Sequence, residues 1–149
     1  MEDPMVWSHL HPAVIHFAVG VGLLYFLWDL SQLTKKSSEA LPGERFFGEV
    51  AVGLFLVGVA TGWIALANDR ILQNAGHDIY LGTIHGGMGL MLLAGTTGRV
   101  LSGFHPQKAR MRHILAGLDL GLFLLLLGTA LLGERLVFIQ GAGLSGVQF

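Results

Sequence analysis

Histidine is the residue type with the greatest capacity for chemistry in this chain. The sequence has seven histidines and no cysteine. Disulfides, Cys-ligated zinc, iron–sulfur clusters and haem attached through a CxxCH motif are therefore excluded. His16 and His85 lie inside apolar segments, where an ionisable residue indicates a function. The histidines expected at the outer side of a membrane are His9, His11, His16, His77 and His85.

Glycines follow both embedded histidines at helical spacing. Gly20 stands four residues after His16, and Gly89 stands four residues after His85. Residues four apart lie on one helical face, so each imidazole has bare backbone beside it. A large flat ligand held between two imidazoles needs this clearance. The pattern predicts one b-type haem, with His16 and His85 as the axial iron ligands and Gly20 and Gly89 lining the site.

Other interpretations fit the same residues. The glycines can serve close helix packing alone, and the histidines can hydrogen-bond a neighbouring helix without any cofactor. The outer histidines can also bind a divalent metal ion, for which imidazole is a usual ligand, and the chain would then be a metal-binding or transport-accessory membrane protein. In that case His9, His11 and His77 join the two embedded histidines as secondary candidates. A bound quinone is a further possibility.

Four long apolar segments must position these residues. The composition is 52% hydrophobic and only 13% charged, and a membrane-spanning helix needs about 20 mostly apolar residues. The sequence predicts an all-α integral membrane protein, a single four-helix bundle over residues 1–149 in contact with the lipid bilayer. Pro12 is expected at the start of the first helix. The predicted helices cover residues 13–33, 47–67, 79–98 and 113–132, and a glycine-rich tail covers 134–149.

Basic residues predict the orientation, because cytoplasmic connections carry an excess of Lys and Arg. The first and third connections should therefore be cytoplasmic and both termini periplasmic, in a bacterial inner membrane. The acidic Asp29, Glu49 and Asp119 are expected to pair with Lys36, Arg45 or Arg112, and the alternative is that they form a proton path or a quinone-binding polar group. The net charge of −1 argues against a nucleic-acid partner. The basic residues in the two connections are Lys35, Lys36, Arg45, Arg99, Lys108, Arg110 and Arg112, seven of the nine in the chain.

The two halves of the chain resemble each other. GLFL occurs in the second and fourth helices, and Thr61 and Thr129 stand at matching offsets, 68 residues apart. The same shift relates His9 to His77. Because internal repeats are frequent in membrane folds, we expect two duplicated helical hairpins related by a pseudo-two-fold axis along the membrane normal.

Two motifs carry a family resemblance over nearly the whole chain. HPAVIHF at 11–17 and GERLVFIQGAG at 133–143 resemble the bacterial four-helix membrane family catalogued as domain of unknown function 2231. Ala18 replaces the proline expected there, and Gln140 stands where many relatives carry histidine. Fusion of some relatives to Rieske or cytochrome domains implies redox work. Matched positions are His11, Pro12, His16, Phe17, Asp29, Gly62, Trp63, His85, Gly133, Leu136, Val137, Gly141 and Gly143.

These observations predict a cytochrome b-like electron-transfer subunit. It would hold haem near the periplasmic face and work inside a larger respiratory or photosynthetic complex. Its expected partners are other membrane redox subunits and a periplasmic c-type cytochrome or quinone. No nucleophile–base arrangement, phosphate loop or carboxylate pair is visible, so the chain is expected to be a non-catalytic subunit of an oxidoreductase rather than an enzyme alone.

Overall fold

The computed structural model describes residues 4–32, 42–68, 78–102 and 109–138, and all of them are helical. The helices are α1 (Pro4–Gln32), α2 (Pro42–Asn68), α3 (Asp78–Ser102) and α4 (Ala109–Phe138). The all-helical class predicted from the apolar segments is confirmed, and each predicted segment overlaps one helix.

The helix ends differ from the predicted ones in three places. α1 begins at Pro4, so Pro12 lies inside the helix and not at its start. Arg99 lies in the last turn of α3 and not in the third connection. The first residues of the predicted tail, 134–138, continue α4, whereas residues 139–149 lie outside the described part of the chain.

Three of the described helices contain a segment long and apolar enough to cross a membrane. These segments are Leu10–Ser31 in α1, Arg45–Ala67 in α2 and His113–Val137 in α4. α3 is not among them, since glycine, threonine and histidine interrupt its apolar residues. The structure therefore supports a membrane protein with three such helices, and the fourth span stays a prediction.

The four helices form a closed ring. α1 packs on α2, α2 on α3, α3 on α4, and α4 returns to α1. α1 and α3 consequently lie across a diagonal of the bundle. Two contacts cross this diagonal, one between His11 and His85 and one between Asp29 and Arg99. Because each contact joins corresponding ends of the two helices, α1 and α3 run in the same direction.

An apolar core fills the middle of the bundle. Phe26 and Leu126 are its largest fully buried apolar side chains. α1 comes very close to α2 at Gly22, where an added Cβ would lie 2.7 Å from Cζ of Phe55. Glycine is needed there because the aromatic ring occupies the space of a side chain. The core consists of Ala18, Tyr25, Phe26, Ala51, Phe55, Leu92, Leu122 and Leu126.

Candidate functional site

A cavity of about 520 Å³ opens at one end of the bundle, on the side where α1 and α3 begin. We call this the histidine end. Its volume falls within the ~300–1,000 Å³ that is usual for small-molecule and cofactor sites. Apolar side chains and glycines from all four helices form most of its wall, and core residues Ala18, Phe55, Leu92 and Leu126 close it at the bottom. The polar side chains that line it are His11, His16, Trp63, His85, Thr129 and Glu134.

His11 and His85 meet inside this cavity. Their ring centres are 6.2 Å apart and the ring planes make an angle of 80°, an edge-to-face contact. α1 and α3 each contribute one ring, so the pair bridges the bundle diagonal. Two charged imidazoles at this separation would repel each other strongly in apolar surroundings. At least one ring is therefore neutral, as metal ligation by imidazole requires.

α2 holds the His11 ring in place. Nδ1 of His11 lies 3.1 Å from Oγ1 of Thr61, which is buried. The Cε1 edge of the ring also faces the next residue, Gly62, where an added Cβ would come within 2.8 Å of Cε1 of His11. A side chain at position 62 would consequently displace the imidazole.

α4 holds the His85 ring in a similar way. An added Cβ on Gly133 would come within 2.9 Å of Cε1 of His85, so the edge of this ring faces α4. Its Nδ1 is buried and has no hydrogen-bond partner among the described residues. A buried nitrogen without a partner is costly, which makes this atom the clearest sign of a ligand.

The predicted partner of His85 occupies a different position. His16 is exposed, and its Nδ1 donates a hydrogen bond to the carbonyl of Pro12 at 2.6 Å. It still lines the rim of the cavity, but the ring that contacts His85 belongs to His11. The two predicted glycines also separate. Gly89 lines the cavity, whereas Gly20 is exposed and is not a lining residue.

The remaining outer histidines cannot be placed. His77 lies outside the described residues, and the described part of α1 gives no side-chain position for His9. Within the described ranges, no group of three or more His, Asp or Glu side chains is close enough to hold a metal ion. The two histidines that meet therefore form a two-ligand set in this part of the chain.

The opposite end of the bundle contains buried charges, and we call it the ion-pair end. Arg99 of α3 forms an ion pair with Asp29 of α1 and another with Asp119 of α4, the latter with Nε to Oδ1 at 2.9 Å. All three side chains are at most 9% exposed. Buried charges of this kind persist in a membrane helix bundle when they pair with one another.

Sequence reasoning predicted other partners for these acids. Asp29 and Asp119 are predicted to pair with Lys36, Arg45 or Arg112. In the structure both pair with Arg99. The expected Arg45–Glu49 pair is confirmed, with Nε and Oε1 2.8 Å apart on the surface of α2. Arg99 was missed because it was counted as a residue of the third connection.

A signal for both differences was present in the sequence. Helical periodicity continues without a break through TTGRVLS at 96–102, which places Arg99 in α3. His11 precedes the predicted first helix and is only a secondary candidate in the sequence, because it is expected to be too exposed for a haem ligand. With Pro12 inside α1, His11 lies within the helix, about one and a half turns before His16.

Comparison with protein-family models, curated proteins and solved structures gives no match to this chain. The resemblance carried by HPAVIHF and GERLVFIQGAG is therefore not tested and stays a prediction.

Proposed function

We propose that this chain is a membrane-embedded, haem-binding electron-transfer subunit, with His11 and His85 as the axial ligands of one b-type haem. The observation that carries the proposal is the His11–His85 pair inside an apolar cavity, with Nδ1 of His85 lacking a partner among the described residues. The function is the one the sequence predicts, but the favoured ligand on α1 changes from His16 to His11.

The two rings are close enough to hold one cofactor together, since their centres are 6.2 Å apart inside the cavity. One-electron transfer is the chemistry that haem would supply here. The chain would hold the cofactor, exclude water from it and set its surroundings.

The small number of ligands favours haem over a bare metal ion. A metal ion in a protein commonly needs four ligands, and the described residues contain no group of three candidate ligands. A porphyrin supplies its own four nitrogens and needs only two from the protein. A two-histidine site is therefore complete for haem and incomplete for zinc, copper or nickel unless His9 or His77 contributes.

The proposal includes a fourth span and a fixed orientation. The outward face of α3 is apolar, with Tyr80, Ile84 and Met91 each more than half exposed, which suits contact with lipid. α3 would then cross a bacterial inner membrane with the histidine end at the periplasmic face. Both termini would be periplasmic, as the positive charges of the first and third connections favour.

The proposal also includes an internal duplication. In each hairpin the first helix carries a histidine that packs against a glycine of the second, Gly62 for His11 and Gly133 for His85. Thr61 contacts His11 and Thr129 lines the cavity, and these two threonines are the residues that the 68-residue shift pairs. The shift pairs neither the two histidines nor the two glycines, so the support for a repeat comes from the threonines and the shared GLFL sequence.

An optical spectrum with histidine variants tests the haem proposal. The purified protein, expressed with full haem supply, should show a Soret band and a low-spin spectrum. His11→Ala and His85→Ala should lose this spectrum, and His16→Ala should keep it. His113→Ala is the matched control, since His113 is an exposed histidine near the start of α4, away from the cavity.

Each alternative has its own outcome. If His16→Ala loses the spectrum and His11→Ala keeps it, the ligands are His16 and His85. A different metal found by elemental analysis, without a Soret band, would support a divalent metal site. A protein with neither haem nor metal would contradict the proposal.

Labelling of single introduced cysteines tests the fourth span, because the chain has none of its own. Ser37→Cys and Gln107→Cys should be protected from a membrane-impermeant thiol reagent in intact spheroplasts, and Asn74→Cys should be labelled. Equal labelling of Asn74→Cys and Gln107→Cys would show that α3 does not cross the membrane.

A further inference from the structure

Thr61 makes three polar contacts through a single hydroxyl group. Its Oγ1 lies 2.9 Å from the carbonyl of Val57 and 3.1 Å from the carbonyl of Gly58, both on its own helix. The same oxygen lies 3.1 Å from Nδ1 of His11. A carbonyl can only accept a hydrogen bond, so the one hydroxyl hydrogen points at the helix backbone.

The direction of the third contact follows from the first two. With its hydrogen used, Oγ1 of Thr61 can only accept from His11, which places the hydrogen of the imidazole on Nδ1. In a neutral ring the other nitrogen, Nε2, then carries the free lone pair. Metal-ligating histidines usually donate their second nitrogen to such a partner, which fixes the tautomer and the ring orientation.

His85 lacks such a contact. Its Nδ1 has no hydrogen-bond partner among the described residues, and Cε1 of its ring faces Gly133, where an added Cβ would lie 2.9 Å away. Tautomer selection by a hydroxyl group is therefore a feature of the His11 side of the pair.

We infer that Thr61 selects the tautomer of His11, so that His11 offers Nε2 to a bound ligand. Thr61 is a positioning residue, because it acts through the imidazole. The role of Nε2 as an iron ligand depends on the proposed function, whereas the tautomer itself does not.

Nitrogen-15 NMR of the ligand-free protein, labelled in histidine and measured above the pH range in which histidine titrates, tests the tautomer directly. The wild-type protein should show His11 protonated at Nδ1. Thr61→Val should remove the preference of His11 for Nδ1–H, and Thr61→Ser should restore it. A wild-type His11 protonated at Nε2, or an unchanged tautomer in Thr61→Val, would overturn the inference.

Thr129→Val is the matched control at the corresponding position of the second hairpin. Its hydroxyl donates to the carbonyl of Leu125 at 2.7 Å, and among the described residues it makes no hydrogen bond to either histidine. The substitution should therefore leave the tautomer of His11 unchanged. A change in the His11 tautomer in this variant would contradict the assignment of tautomer selection to Thr61.

Titration of the same variants with hemin separates this inference from the proposed function. Thr61→Val should weaken hemin binding about 10- to 100-fold, the usual cost of losing such a partner, while Thr61→Ser should bind as the wild type does. If the tautomer is as inferred but no variant binds hemin, the proposed function fails and tautomer selection stands. If hemin binds equally to Thr61→Val and the wild type, the inference fails alone.

Discussion

The two ends of the bundle bury polar groups across the same diagonal in different ways. At the ion-pair end, Arg99 reaches from α3 to Asp29 of α1 and Asp119 of α4, and charge meets opposite charge. At the histidine end, His11 and His85 meet beside a cavity, and one buried nitrogen has no partner among the described residues. The ion-pair end is held together by opposite charges, whereas the histidine end has the open space and free lone pairs that a ligand needs.

The two ends of this small helix bundle separate stability from function. The apolar core around Phe26 and Leu126 lies between the two ends, so a change at one end need not disturb the other. We therefore expect substitutions at the ion-pair end to alter folding, and substitutions at the histidine end to alter binding. The predictions below test this division.

Loss of Arg99 should have the largest effect. Arg99→Ala leaves the carboxylates of Asp29 and Asp119 buried without their guanidinium, and breaking a buried ion pair in this way costs about 3–5 kcal/mol. The free energy of unfolding, measured in detergent or by thermal melting, should fall by that amount. Combining Arg99→Ala with Asp29→Asn and Asp119→Asn should recover most of the loss, because the uncompensated charges are removed. A single variant as stable as the wild type would show that the ion-pair end does not hold the bundle closed.

Substitution of the two packing glycines should have the next largest effect, and at the other end. An added Cβ on Gly62 or Gly133 would come within 2.9 Å of Cε1 of His11 or His85, so Gly62→Ala and Gly133→Ala should push the rings out of register. Overpacking costs about 1–3 kcal/mol when a structure cannot give way, but an imidazole can swing. We therefore expect a larger loss in hemin affinity than in stability.

Gly117→Ala and Gly121→Ala are the controls for this pair. An added Cβ at either position meets nothing within 4 Å in the described structure, and alanine is favoured over glycine in a helix by roughly 0.5–1 kcal/mol. These variants should be at least as stable as the wild type and bind hemin equally well. Equal binding by Gly62→Ala, Gly133→Ala and the controls would show that the ring positions do not matter for the ligand.

His11, His16, His85 and Arg99 show which parts of the fold and of the site the sequence predicts. Hydropathy predicts the four helices, and an ionisable residue among apolar ones singles out His85, which does line the cavity. The choice of His16 over His11 depends on where α1 begins and on which face turns inward. The start of α1 is hard to predict because Pro12, a residue that favours a helix start, lies inside the helix. The face that turns inward is determined by the packing of α1 on α2. The Arg99 pairs join residues distant in the chain, and helical spacing carries no information about such contacts.

Replacement of His85 by leucine should change the free energy of unfolding less than Arg99→Ala, Gly62→Ala or Gly133→Ala. It should leave that free energy unchanged or raise it, whereas loss of Arg99 lowers it. Nδ1 of His85 is buried without a partner among the described residues, and replacing such a group by an apolar one of similar shape is close to neutral or stabilising, by about 1 kcal/mol. His85→Leu should therefore melt at or above the wild-type temperature while losing hemin binding completely. A destabilisation as large as that of Arg99→Ala would mean that the imidazole has a structural role equal to that of the ion pairs.

The smallest effect should come from the ion pair on the surface. The side chain of Arg45 is 61% exposed and that of Glu49 is 50% exposed, and the two residues stand four apart on α2. Pairs of this kind contribute about 0.3–0.5 kcal/mol, because water and salt screen them and two long side chains lose freedom. Arg45→Ala should lower the free energy of unfolding by no more than that, and added salt should shrink the difference further. If Arg45→Ala lowered the free energy of unfolding as much as Arg99→Ala, burial would not explain the contribution of the Arg99 pairs to stability. The contrast between the two ends would then need another cause.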